Sequence, residues 1–158
     1  MKFTIRAATE KDYDKIISLL LDIALLHSRG RPDLFEGGYS KYTREELEKV
    51  TADPETPVFI AADEDDNAAG YIFCRLKINP AHGPLREYKS LYVDDLCVDE
   101  KCRGMGIGTA LLGYAADFAR EKGCMCMDLN VWEFNKNAID FYERFGMKTR
   151  KRTMELVL

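Results

Sequence analysis

Residues 96–109, Leu-Cys-Val-Asp-Glu-Lys-Cys-Arg-Gly-Met-Gly-Ile-Gly-Thr, constrain this chain more than any other segment. An apolar run that reads as a buried strand ends at Val98, a polar stretch follows, and glycines stand at 104, 106 and 108. Immediately beyond, Ile107, Ala110, Leu111, Tyr114, Ala115 and Phe118 recur with the period of a helix, the best such stripe in the sequence. Glycine loses more conformational freedom on folding than any other residue, so three at alternate positions need a reason. A strand turning sharply into a helix supplies one. The loop lets an anion approach backbone N–H groups, and the helix N-terminus adds unsatisfied donors and partial positive charge. Phosphate oxygens suit such a cradle, and Arg103 can add a charge-assisted hydrogen bond. Two nucleotide-binding loops fail on spacing. A Rossmann loop needs G-x-G-x-x-G where this chain has G-x-G-x-G, and no P-loop lysine follows Gly108.

The rest of the chain frames that loop. Residues 2–6 alternate as a short strand, and Thr9 with Asp12 marks a helix start. Tyr13, Ile16, Ile17, Leu20, Ala24 and His27 form its stripe, which Arg31-Pro32 ends. A second helix starts after Thr43, with Glu46 completing a capping box and Leu47 and Val50 on the buried side. Strands over 58–62 and 70–78 flank the polar turn Asp63–Asn67, and 91–98 is the next β run. After the loop and its helix, which Gly123 closes, come a strand over 125–131, a helix over 135–145 closed by Gly146, and a last strand over 149–157. This order predicts one α/β (α+β) domain over residues 1–158, a mixed sheet with helices on its faces.

Composition narrows the function. The chain has 158 residues, 46% hydrophobic and 32% charged, enough apolar surface for one core. Its net charge of −4 disfavours a nucleic-acid partner, and no apolar run reaches the roughly 18 residues a membrane span needs. The N-terminus lacks a secretory apolar region, and five cysteines at 74, 97, 102, 124 and 126 include no C-x-x-C pair. Reduced structural cysteines, no metal site and a cytoplasmic location are the expectations.

Arg103, Gly106 and Gly108 make an R-x-x-G-x-G loop, and Asn135 through Met147 reads N-x-x-A-x-x-F-Y-x-x-x-G-M. With both segments present, the chain resembles the GCN5-related N-acetyltransferase (GNAT) family, whose second motif ordinarily ends in Phe where this chain has Met147. The resemblance covers nearly the whole chain and implies acetyl-CoA as cosubstrate. Its pyrophosphate would lie on Arg103, Gly104, Met105, Gly106, Ile107, Gly108 and Thr109. Its pantetheine arm would pair with the backbone of Leu96, Cys97 and Val98, which requires that strand to splay from the strand over 125–131. The Val98 N–H would face the thioester carbonyl, and Asn135 and Ala138 would flank the cofactor. Tyr142 would protonate the departing sulfur, a role that suits a phenol of pKa near ~10, although its place in the stripe Ala138, Phe141, Tyr142, Phe145 also fits plain packing.

Two adjacent aspartates are unusual inside an apolar strand. Asp94 and Asp95 read either as a solvated strand end or as carboxylates facing the reaction cleft. The segment Val93–Val98 is similar to the L-E-D-F-F-V of diamine (spermidine/spermine) acetyltransferases, which implies Asp94 as base and Asp95 as a substrate contact. His27 and Trp132 are further candidates for the acceptor side. The resulting expectation is an acetyl-CoA-dependent N-acetyltransferase that acts on a primary amine of a small molecule or peptide, by direct attack in a ternary complex. The alternative is a catalytically silent acyl-CoA sensor or interaction module, against which the presence of Tyr142 and the acidic pair speaks. An exposed edge strand near the C-terminus is compatible with a homodimer.

Overall fold

A computed structural model describes residues 2–158. Its strands are β1 Thr4–Ala7, β2 Val58–Ala62, β3 Ala68–Asn79, β4 Tyr88–Val98 and β5 Cys126–Leu129. Its helices are α1 Tyr13–Gly30, α2 Arg44–Ala52, α3 Ile107–Glu121 and α4 Lys136–Phe145, with 3₁₀ turns at Glu10–Asp12 and Glu100–Cys102. The strands form one sheet in the order β1-β2-β3-β4-β5. The first four pair antiparallel, and β5 adds parallel to β4. A parallel neighbour needs a crossover, and α3 is that connection.

Local chemistry explains the elements. The β2–β3 hairpin turns at Asp63–Asn67, where Asp63 Oδ1 accepts from the N–H groups of Asp65 (3.0 Å) and Asn67 (2.9 Å). Thr43 Oγ1 accepts from Glu46 N at 3.2 Å while a Glu46 carboxylate oxygen accepts from Thr43 N at 2.8 Å, a complete capping box that fixes where α2 begins. Both sheet faces are covered. Phe59, Ile72, Leu91 and Val93 pack with Ile107, Leu111 and Leu112 of α3, and α4 lies against this side through Phe141 and Phe145. Ile60, Tyr71 and Phe73 pack with Ile16, Leu19 and Leu20 of α1 and Leu47 of α2. Each fully buried aliphatic side chain here contributes about 1.5–3 kcal/mol.

Asp12 is nearly wholly buried and receives Arg6 through two hydrogen bonds of 2.8 and 2.9 Å. Burial alone would raise its carboxyl, but Arg6 and Thr9 hold it below the usual carboxylate value. Asp12→Ala is expected to destabilise the fold by about 1–3 kcal/mol in urea unfolding at pH 7. A depressed folded pKa means that this stability is present above the unfolded value near ~3.9 and is lost as pH falls through the folded one. The two proteins should therefore converge in strong acid.

The feature that positions the site is a split. The β3–β4 ladder runs from Gly70 opposite Val98 to Asn79 opposite Tyr88, with a register shift that leaves Asp94 as the extra residue. The β4–β5 ladder covers only Ser90 to Val93. Bulge and separation coincide at Asp94, so residues 94–98 leave one backbone edge without a strand beside it.

The last expected strand is absent. Residues 148–158 adopt no regular structure, and Met154, Leu156, Val157 and Leu158 are almost fully exposed. Side-chain contacts place this segment instead: Arg150 reaches Tyr88 and Asp128, and Glu155 pairs with Arg31 at 2.5 Å. Alternating residues specify a strand only where an edge lies within reach, and this segment does not align along the four-residue β5. The dimer argument drawn from a C-terminal edge strand falls with it. The other strand bounds shift by a few residues, and β4 begins three residues earlier than its apolar run.

Candidate active site

The glycines of the loop have two different jobs. Gly104 and Gly106 are left-handed, with φ of 77° and 80°, and a Cβ at either would meet no atom within 4 Å. They turn the chain into α3 and leave an open surface above it. Gly106→Ala is expected to destabilise the fold by about 1–2 kcal/mol, read from urea unfolding, because an L side chain strains that conformation. Gly108 has ordinary φ, but a Cβ there would sit 3.1 Å from Phe141 Cζ. Its bareness lets α3 and α4 close together. The N–H groups of residues 104–109 find no acceptor among the described residues, so the cradle is lined by free donors. Ile107 joins it through its backbone alone, since its side chain is buried in the core. Exposed Arg103 folds back along the loop, its Nε donating to the Val98 carbonyl at 3.2 Å, which ties the loop to the end of β4.

Across the split, Asn135 caps α4, its Oδ1 accepting from Ala138 N at 3.2 Å. That cap orients the helix so that Tyr142 is half-buried against the core, its ring 5.2 Å from Phe141. Burial, with Asp95 adding to it, pushes the Tyr142 phenol up to about 12. Leu96 and Val98 pack toward α3, whereas Cys97 is buried on the opposite face. Burial first, then Asp95, pushes the Cys97 thiol up to about 12. A thiol so poorly ionised is no nucleophile at neutral pH.

The two aspartates do not point into bulk water. Asp94 Oδ2 accepts from Lys41 Nζ at 2.7 Å and from the Tyr42 hydroxyl at 3.1 Å. Burial drives the Asp95 carboxyl up to about 6, against the pull of Lys41 and with the added repulsion of Asp94. Tyr71 is wholly buried, and its hydroxyl has no hydrogen-bond partner among the described residues. Burial and then Asp95 keep that phenol protonated far above its ordinary range.

His27 and Trp132 come together from distant parts of the chain. The imidazole lies 5.1 Å from the Phe35 ring and 6.3 Å from Phe134, while Trp132 meets Phe35 edge-on at 5.2 Å and stacks on Phe134 at 6.3 Å. A Cβ on Gly30 would strike the Phe134 ring at 2.3 Å, so that glycine makes room for the cluster. Burial and the nearby Lys41 lower the His27 pKa, which keeps the ring neutral at pH 7. Lys41, Tyr42, Tyr71 and Phe134 were not legible as site residues. The first two lie in a loop without periodicity, and Tyr71 reads as ordinary core.

Residues 23–147 match the model of the acetyltransferase (GNAT) family. The chain belongs to this family. Among GNAT relatives, the peptidyl-lysine N-acetyltransferase YjaB of Salmonella typhimurium is 26% identical over 155 residues, 97% of this chain and 88% of that protein. The thialysine N-epsilon-acetyltransferase of Sus scrofa is 35% identical over 60 residues, 38% of this chain and 35% of its own length. The chain thus spans about a third of the curated relatives of that kind. A crystal structure of a mutant of the BH1408 protein from Bacillus halodurans superposes with a TM-score of 0.94 at 29% identity, covering 98% of this chain and 99% of that one. In this GNAT chain the splayed β4 and the glycine loop fall inside the matched span. No helix among the described residues is long and apolar enough to cross a membrane. No cluster of three or more His, Cys, Asp or Glu side chains there could hold a metal ion.

Proposed function

We propose that this chain transfers an acetyl group from acetyl-CoA to a primary amine of a small molecule or peptide, by direct attack in a ternary complex. One observation carries the reading: a cradle of free N–H groups, a carboxylate pair and a half-buried phenol lie around the point where β4 parts from β5. The cradle fits a pyrophosphate, and the open edge of 94–98 fits an extended amide-bearing arm, as an added strand would.

Bound acetyl-CoA supplies the activated thioester. The residues of the chain do the rest. The Val98 N–H is the donor toward the thioester oxygen, where charge develops. Asp94 is placed to hold an ammonium, since it already binds one in Lys41. Asp95, poised near 6, is matched to accepting the amine proton at neutral pH. This reverses the two roles that the family resemblance implies. Tyr142 remains protonated at any physiological pH and can deliver its proton to the departing sulfur. His27, neutral within its aromatic cluster, and Trp132 would then line the acceptor side rather than perform proton transfer. A lysine-like, cationic acceptor is supported by the acidic pair and by the relatives named for peptidyl-lysine and thialysine.

Acetyl-CoA should raise the melting temperature, since a ligand at 100 times its Kd stabilises the fold by about 2.7 kcal/mol. CoA release should then appear with lysine-like amines in preference to neutral or anionic ones. No thermal shift would sink the reading. Binding without turnover on every amine class would leave a silent acyl-CoA sensor.

A further inference from the structure

Lys41 is the observation that the proposed function leaves unexplained. It belongs to the loop between α1 and α2, just before the capping box that fixes α2. Tyr42 beside it stacks on Phe73 at 5.4 Å, and Ser40 Oγ donates to the Tyr42 carbonyl at 2.8 Å. The backbone around Lys41 is thereby anchored, and its Nζ is delivered to Asp94 Oδ2 at 2.7 Å, 5.6 Å from the Tyr42 ring centre. The same ammonium acts on Asp95, which in turn acts on Tyr142. The other paired lysines, Lys11, Lys15 and Lys136, sit on Asp66, Asp99 and Glu133, away from this acidic pair. A primary amine on a flexible aliphatic stem occupies the place where a cationic acceptor would have to bind.

We propose that Lys41 is an intramolecular acetylation site: the chain's own amine fills the acceptor position, is acetylated there, and thereby frees Asp94 for incoming amines. This rests on the function proposed above. The Lys41 ammonium gives one proton to the carboxylate pair, and the amine nitrogen bonds to the acetyl carbon of acetyl-CoA. The carbon–sulfur bond breaks and Tyr142 protonates the sulfur; the second nitrogen proton follows the first out through the carboxylates, one of the two returning through solvent to the Tyr142 phenolate and the other being released. The products are an N-acetyl-lysine, CoA and one net proton. Acetylation removes the charge and the ion-pair donor. Asp94 then lacks a counter-ion and attracts a cation more strongly, so the first turnover primes the site for later ones.

The experiment starts from protein shown by mass spectrometry to be unacetylated, incubated with acetyl-CoA alone and mapped by peptide. One acetyl group is expected, on Lys41, at a rate independent of protein concentration across a tenfold dilution series. Lys41→Arg should take up none at that position. A second readout involves no turnover: 1,5-diaminopentane titrated calorimetrically without acetyl-CoA should bind Lys41→Gln about 10-fold more tightly than the starting protein, since the tethered competitor is gone. Acetylation spread over other lysines, a rate that scales with protein concentration, or equal or weaker diamine affinity in Lys41→Gln would overturn the proposal. An unmodified Lys41 in protein that acetylates an added amine overturns it alone. Failure on every amine and on Lys41 removes the proposed function as well.

Discussion

Tyr142→Phe is expected to lower the rate at saturating substrates by about 100- to 1,000-fold while acetyl-CoA affinity stays nearly unchanged. A positioned general acid contributes on this scale, and the change removes one hydroxyl while keeping the ring that packs beside Phe141. The hydroxyl makes no hydrogen bond among the described residues, so its removal should leave the melting temperature within about a degree, the ordinary outcome for a loss without a partner. The pH sign is also fixed. A phenol raised to about 12 by burial and by Asp95 is protonated throughout the working range, and its donor capacity is lost only as pH rises through that value. Wild-type activity should therefore show no alkaline fall from this group below about pH 10. An unchanged rate where chemistry is limiting would make Tyr142 a packing residue, the reading its helical stripe also permits.

The strand–loop–helix segment was legible because local chemistry dictates it. A strand that ends in Gly104, Gly106 and Gly108 before a strong amphipathic stripe has few ways to fold, and left-handed backbone at 104 and 106 follows from residue type. Asn135 and Gly146 marked the ends of α4 for the same reason, as cap residues. What sequence did not show is tertiary. Gly108 looks like its two neighbours, yet its bareness serves a helix contact with Phe141 that only the fold creates. Lys41 and Tyr42 reach Asp94 from more than 50 positions away, and no pattern in residues 31–43 announces that return. The expected strand at 149–157 failed in the opposite sense. Its alternation satisfies a local rule, but pairing depends on where an open edge lies. The two aspartates inside a strand stood out in the sequence, whereas their unequal burial and partners, Lys41 and Tyr42 on Asp94 and desolvation on Asp95, are set by the fold, which composition does not encode.

The proposed division of labour between Asp94 and Asp95 is tested by Asp95→Asn. The buried carboxyl titrates near 6 in the fold and near ~3.9 in the unfolded chain, so its ionisation is resisted by the folded state alone. A raised acid pKa means that stability declines as pH rises from about 4 to 6 and stays reduced above that. The Asn variant lacks this penalty. Discounted for the partial exposure of the side chain, the gain at pH 7 should be roughly 1–2 kcal/mol, a rise in melting temperature of about 2–8 °C. Its rate should move the other way. Wild-type activity should climb through pH 6 as Asp95 becomes able to accept the amine proton. Asp95→Asn should lose that limb, fall by about 100-fold at neutral pH, and recover at alkaline pH as the amine loses its proton unaided. A more stable but slower enzyme is the pattern expected of a group kept in an unfavourable setting for its chemistry. Asp94→Asn should instead raise the Michaelis constant for cationic amines in a salt-dependent way, because its carboxylate is the one that already holds an ammonium. The opposite outcome, with Asp94→Asn removing the limb near pH 6 and Asp95→Asn affecting only the Michaelis constant, would return the base to Asp94 and leave Asp95 as the acceptor's counter-charge.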